Sequence, residues 1–470
     1  MPSLLKLRLF GRPRRQNKAT QDAAQSPKVP NTNTADINVN AVDEQPRGQP
    51  GQAQNTLTPP SPTAASNTPT TLESLPAELR HQVLSLVLDI EDLKALVLAS
   101  PVFHPQYLLD RKAFLRRALK ATLGNVLVHA YAVHTSASLL HERPAERALG
   151  PQDETAVRLF MDNYVALRSV SPDQLLAEVT TTEDHLAAMA SFYCSLARPL
   201  AEQCAALFLR HLDASLRVGS LSRTERTRLL RALYRFQLYC NLLGMGAQGY
   251  FEDPPLPMSD VLPVFFCVFR PWEIEEIDCV YAAIRDKYEA VFDAIRSDVA
   301  RDNPKFESWR RRRPDTPPGS FDLADEGKPG DARESLRQGT ASRGLRLFSQ
   351  VLQETETSND HKKLVGLMQK SMAPYCIFIE PILDSTSQDM GRREHPSEED
   401  RAEARRERLP FLGDTEDGPP LAWVIIWRGR YSNEYGTLID RSLKAWGYVF
   451  WDCRRLNESG GKKHLRVQRR

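Results

Sequence analysis

The sequence predicts a mainly α-helical protein, and three observations carry that prediction. From Leu75 onward, apolar residues recur at helical spacing for about two hundred residues, with few of the alternations that mark strands. Helix-start chemistry stands at two places inside this region. Ser222–Glu225 reads SRTE, a capping-box pattern, and Pro271 is followed by Glu273, Glu275 and Glu276, which suit the positive end of a helix. The apolar residues after each start form a stripe: Leu229, Leu233, Phe236, Cys240 and Leu243 in the first helix, ended by Gly244, and Ile274, Ile277, Tyr281, Ile284, Tyr288, Val291 and Ile295 in the second.

Along the chain, residues 1–71 are rich in Asn, Gln, Thr, Pro, Ser and Ala, with Phe10 as their only aromatic. Such a segment buries too little apolar surface to offset its conformational entropy, so a long disordered N-terminal tail is expected. Residues 72–112 read as a small helical module opening at Leu75-Pro76. Leu75, Leu79, Val83 and Leu86 share one face of its first helix, and Leu84, Val87 and Leu88 extend the apolar surface. Glu91 or Asp92 starts a second helix with Leu93, Leu96 and Val97 inward, and Ser100-Pro101 stops it, because proline disfavours a helical residue before it.

Residues 113–300 continue as an α-helical body. Residues 301–345 lose the periodicity; WRRRRPDTPPGS and DEGKPGDARE predict a flexible linker. Residues 346–384 return to helix and end in YCIFIEPIL (375–383), readable as a strand or a buried segment. Residues 385–420 predict a polar loop. The segment 421–457 carries four of the six tryptophans (Trp423, Trp427, Trp446, Trp451) and is expected to pack on the body. Residues 458–470 form a basic tail.

Composition narrows the function classes. The chain has 470 residues, 41% hydrophobic and 26% charged, with a formal net charge of +2. No global field points to nucleic acid or a membrane surface. The longest apolar run, Val261–Phe269, is far shorter than the roughly 20 residues a helix needs to span a bilayer. Seven scattered cysteines without a C-x-x-C pair read as reduced thiols of a cytoplasmic and/or nuclear protein. The first eighteen residues are basic and lack acid, so a mitochondrial presequence is a minor alternative to a disordered basic tail.

No catalytic chemistry emerges. Gly244, Gly246 and Gly249 match G-x-G-x-x-G, but a long helix precedes them where a dinucleotide site needs a strand. Gly461-Lys462 lacks the glycine and the hydroxyl of a phosphate loop, and neither H-E-x-x-H nor G-x-S-x-G occurs. His129, His134 and His141 are the nearest approach to a histidine cluster, without a carboxylate or cysteine at ligand spacing. The basic run Arg310–Arg313 is not interleaved with aromatics in the manner of a single-strand binding surface. The expectation is no enzyme, no metal and no cofactor.

Residues Leu72–Arg111 resemble an F-box. Leu75, Pro76, Glu78, Leu79, Val83, Leu84, Leu88, Leu93, Leu96, Val97 and Phe103 fall where that module has its leucine-proline start, acidic-leucine pair, aliphatic ladder, second-helix aliphatics and closing aromatic. Ser100 replaces the usual cysteine. SRTERTRLLRALYRFQLYCNL (222–242), RPWEIEEIDCVY (270–281) and KAWGYVFWDCRRL (444–456) also resemble a poorly characterised group of filamentous-fungal proteins with an F-box-like start and a helical body.

The resemblance implies an F-box-like helical unit continuous with the body. It implies a non-catalytic substrate-recognition adaptor that docks on a Skp-type linker protein and, through it, on a cullin-RING ubiquitin ligase. Leu75, Pro76, Glu78, Leu79, Val83, Leu84, Leu88, Leu93, Leu96 and Val97 would serve that contact as a helix-in-groove anchor set. The other reading of the same helices is a cullin-independent scaffold. No repeat of the kind that usually presents substrate is visible.

Overall fold

The computed structural model describes residues 71–139, 151–179, 181–210, 220–244, 255–313, 315–324, 332–358, 360–374, 396–432, 441–458 and 460–468. Their regular structure is entirely helical, and they belong to the unit Pro69–Arg470. Almost all of the expected N-terminal tail, the glycines after Gly244 and the YCIFIEPIL stretch lie outside the described residues.

The first four helices are α1 (Ala77–Leu86), α2 (Ile90–Ala99), α3 (Phe103–Leu109) and α4 (Arg111–Leu123). Asp89 starts α2, ahead of the two acids favoured by the sequence reading, because its carboxylate accepts from the Glu91 and Asp92 N–H groups at 2.8 and 3.3 Å. Ser100 ends α2 and organises the turn into α3. Its hydroxyl donates to Glu73 at 2.5 Å and accepts from the Val102 and Phe103 N–H groups. α4 turns Phe114, Leu115, Ala118, Leu119 and Leu123 inward.

The body continues with α5 (Leu127–Leu139), α6 (Pro151–Arg168), α7 (Pro172–Glu178), α8 (Glu183–Phe192), α9 (Arg198–Arg210), α10 (Arg223–Leu243), α11 (Met258–Phe265) and α12 (Pro271–Val299). A π-helical turn, Tyr193–Ala197, joins α8 to α9. α10 packs against α5 on one side and α12 on another, and these three form the centre. The capping box is present: Ser222 Oγ accepts from Glu225 N, and Glu225 Oε2 accepts from Ser222 N at 3.0 Å. Gly244 ends α10 with an extended rather than left-handed backbone. A side chain there would meet the Ser342 carbonyl oxygen at 2.4 Å, so close packing sets the requirement for glycine.

Both predicted stripes are buried, yet α10 and α12 are covered on nearly every side. The acids at the start of α12 are therefore inside. Glu273 accepts the Arg270 N–H at 2.9 Å, and Glu276 pairs with Arg231.

Three polar segments depart from the sequence reading. The region 301–345, expected to be a linker, carries α13 (Glu307–Arg310) and α14 (Ala332–Ala341). α14 packs on α12, where buried Arg333 bonds Glu289 at 2.7 Å, Asp293 at 2.6 Å and the Leu323 carbonyl at 2.9 Å. These ion pairs act together with buried Leu336 and Ala341 to hold it down. The chain then forms α15 (Leu345–Leu352) and α16 (His361–Ser371).

The described part of the polar loop 385–420 includes a helix, Glu398–Ala404, and then a strap across the body. Arg228, Arg231 and Arg270 donate to the successive carbonyls of Thr415, Glu416 and Asp417 at 3.3, 2.6 and 2.7 Å. Residues Gly461–Gln468 of the expected basic tail are helical and bury Leu465. Trp423, Trp427, Trp446 and Trp451 are all buried; Trp423 meets Trp272 of α12 at 6.3 Å between ring centroids.

Candidate interaction face and a buried arginine cavity

The ten predicted contact residues split into three groups. Pro76, Glu78, Leu79 and Leu88 are exposed, and Leu75, Val83 and Leu96 are half-buried. Leu84, Leu93 and Val97 lie in the core at 1%, 2% and 7% exposure. These three are removed from the contact set, because they pack inward with Ile90, Phe103 and the apolar face of α4. On α1 the register explains the split, with Leu84 toward the body and Leu79, Gln82 and Leu86 outward; on α2, Leu93 and Val97 share the buried face with Ile90.

Sequence reasoning missed Leu98, Leu108 and Leu109 and did not enlist Leu72 or Leu86 as contacts. Among the described residues, seven of the ten exposed large apolar side chains fall between 72 and 109: Leu72, Leu79, Leu86, Leu88, Leu98, Leu108 and Leu109. Leu86 and Leu109 are 77% and 79% exposed. A monomer rarely gathers so much aliphatic surface on one small unit without a partner for it. Each such side chain offers about 1.5–3 kcal/mol on full burial.

Polar contacts brace this unit on the body. Ile90 N donates to Thr122 Oγ1 at 3.0 Å, and Thr122 Oγ1 donates to the Leu88 carbonyl at 3.3 Å. Arg117 reaches the Ser85 carbonyl at 3.1 Å. Arg111 bonds Glu183 at 2.9 Å, and Arg198 pairs with Glu91.

A second site lies where α10 meets α12. A cavity of about 510 Å³ is bounded by the α4–α5 turn, the end of α6, α10, the start of α12 and the strap at Asp417. Arg168, Arg231, Arg235 and Arg270 line it together with His129 and Glu273. Arg235 Nη2 donates to Glu273 at 2.9 Å, and its guanidinium lies 4.4 Å from the Phe269 ring centroid. Arg168 donates to the Val268 carbonyl at 2.7 Å. Burial alone would raise the Glu273 carboxyl, but Arg235, Arg231 and Arg168 outweigh it and hold the group well below the usual carboxylate range. His129 is pushed well below the usual imidazole range by burial first and then by Arg235, Arg168 and Arg231. Its Nδ1 meets the Tyr164 hydroxyl at 2.8 Å. Part of the signal for this cluster was present in the sequence: arginines at 231 and 235, one turn apart on α10, answer glutamates at 273 and 276 on α12.

The remaining candidates resolve structurally. His134 faces His185 with ring centroids 4.9 Å apart, and His141 lies outside the described residues. No group of three metal-ligating side chains forms among the described residues. Arg310 and Arg311 pair with Glu307, and Arg313 stacks on Trp309. The described cysteines form no disulfide with one another; burial pushes the Cys204 thiol up to about 12, which makes it a poor nucleophile. No helix among the described residues is long and apolar enough to cross a membrane.

No family model, curated protein or solved structure matches the chain.

Proposed function

We propose that the chain is a non-catalytic substrate-recognition adaptor of a Skp–cullin–F-box ubiquitin ligase, with the Leu72–Arg111 unit docking on the Skp-type linker protein. The observation that carries the reading is the concentration of outward leucines on helices that begin at Leu75-Pro76. Leu75, Pro76, Glu78, Leu79, Val83, Leu88 and Leu96 remain in the proposed contact, joined by Leu86 and Leu98. Leu84, Leu93 and Val97 act from beneath by fixing the helices that present it.

In such a complex the adaptor makes and breaks no bonds. It holds a protein substrate near the ubiquitin thioester and raises its effective concentration there. The aliphatic anchors on α1 would enter a linker groove while Ser100 and Thr122 keep the helices in place.

The test is co-elution of the full chain with a purified Skp-type linker, repeated with Leu79→Asp and Leu86→Asp combined. The wild-type chain should elute with the linker, and the double variant should elute alone with an unchanged helical circular-dichroism signal. Failure of the wild-type chain to bind any linker, or undiminished binding by the folded variant, would overturn the reading and leave these helices as a cullin-independent scaffold.

A further inference from the structure

We propose that the cavity between α6, α10 and the start of α12 is a binding site for a small organic anion, with a carboxylate or phosphate head on an apolar body. The inference is independent of the adaptor reading and concerns a different part of the molecule.

Two observations carry it. The first is charge balance. On the inner side, the guanidiniums of Arg168, Arg231 and Arg235 meet the carboxylates of Glu273 and Glu276. Three positive groups against two negative ones leave one positive charge in excess, and Arg270 on the lining, bonded to the neutral Asp417 carbonyl, adds a further cation beside the cavity. Asp417 is the further acid near Arg231, but its side chain is 62% exposed, so solvent and salt screen it. An uncompensated charge in a low-dielectric setting is costly, and a bound anion removes that cost.

The second observation is donor accounting. Arg235 is 1% exposed and lines the cavity; its Nη2 donates to Glu273 and its side chain reaches the Tyr164 hydroxyl, yet neither Nε nor Nη1 makes a well-aligned hydrogen bond. Buried guanidinium donors are normally satisfied, and planar donor pairs match carboxylate and phosphate oxygens. The depressed His129 and Arg168 agree with the same positive field: burial lowers Arg168 first, and Arg235 lowers it further.

Size and lining set the ligand class. A volume of about 510 Å³ lies within the range of small-molecule pockets. Val165, Val170 and Val268 supply a narrow apolar strip on a mostly polar lining, so the head group makes most of the contact and the apolar body of the occupant is small. Glu399 and Asp417, also on the lining, disfavour a polyanion.

The test is isothermal titration of the full chain with benzoate and with phenyl phosphate, using benzamide as the neutral counterpart. At least one anion should bind, benzamide should bind about tenfold more weakly or worse, and the difference between the anions identifies the preferred head group. Arg235→Gln should abolish anion binding. Because that variant removes a buried ion pair and could unfold the chain, Val165 provides the second arm. Val165 is 39% exposed on α6 and lines the cavity, so the fold tolerates substitution there. Val165→Glu should weaken the anion about tenfold, and Val165→Lys should not weaken it. Equal binding of benzamide, no anion binding up to the millimolar range, or affinity unmoved by Val165→Glu would overturn the proposal.

Discussion

Arg231 of α10 grips Glu276 of α12 through two charge-assisted hydrogen bonds, Nε to Oε2 at 2.9 Å and Nη2 to Oε1 at 2.6 Å. Burial alone would favour the neutral guanidine. Glu276 and then Glu273 overcome it and keep Arg231 charged more strongly than in water. The pair joins the two central helices, so Arg231→Met should destabilise the fold by about 3–5 kcal/mol by leaving Glu276 buried and unpaired. Removing both charges with Arg231→Met and Glu276→Met should recover part of that loss. Urea unfolding midpoints decide; a double variant as weak as the sum of the single ones would refute the coupling.

Leu84 and Leu86 stand two residues apart on α1 with opposite surroundings, one buried and one exposed. Leu84→Ala should cost about 2–5 kcal/mol by opening a cavity under the module. Leu86→Ala should stay within about 0.5 kcal/mol of wild type. Thermal unfolding of the two variants measures the contrast, and equal losses would contradict the α1 register.

Ser100 accepts two backbone N–H groups and donates to Glu73. Ser100→Ala should therefore lower stability by about 0.5–2 kcal/mol, the usual effect of losing a hydroxyl that caps a turn. An unchanged denaturation midpoint would show that water replaces the hydroxyl at no cost.

His129 gives the protein a pH dependence of defined sign. Its folded-state value lies below that of the unfolded chain, because burial and then Arg235, Arg168 and Arg231 oppose its protonation. As pH falls through about 6.5, the unfolded state takes up a proton that the folded state refuses, so stability declines. His134, lowered by burial and by His185, adds to the same trend. The melting temperature should fall between about pH 7.5 and pH 5.5, and His129→Gln should make the fall shallower. An equal slope in the variant would remove His129 from the account.

The helical class and the two central helices were legible because their signals are local. The SRTE box and the stripes through Leu229 and Ile277 depend on residues three to seven positions apart. What escaped depends on distance in the chain. Arg228, Arg231 and Arg270 bind carbonyls at 415–417, and Arg333 binds acids on α12, so segments that read as polar loop and linker are held by buried charge. The pattern of exposure across Leu75–Val97 was partly legible. Periodicity placed Leu79, Val83 and Leu86 on one face and turned Leu93, Leu96 and Val97 inward, but only the packing shows that Leu84 is buried and that Leu96 stays half-exposed.

Thr122, at the end of α4, holds both ends of the α1–α2 turn through Leu88 and Ile90. The unit that carries the outward leucines therefore has no joint between itself and the body. Cutting the chain near residue 112 would slice through one continuous interior, so the unit cannot be lifted out and assayed alone. A partner seated on α1 would ride on a stiff bracket, its angle to the rest of the molecule set by α4 rather than by a swinging tether.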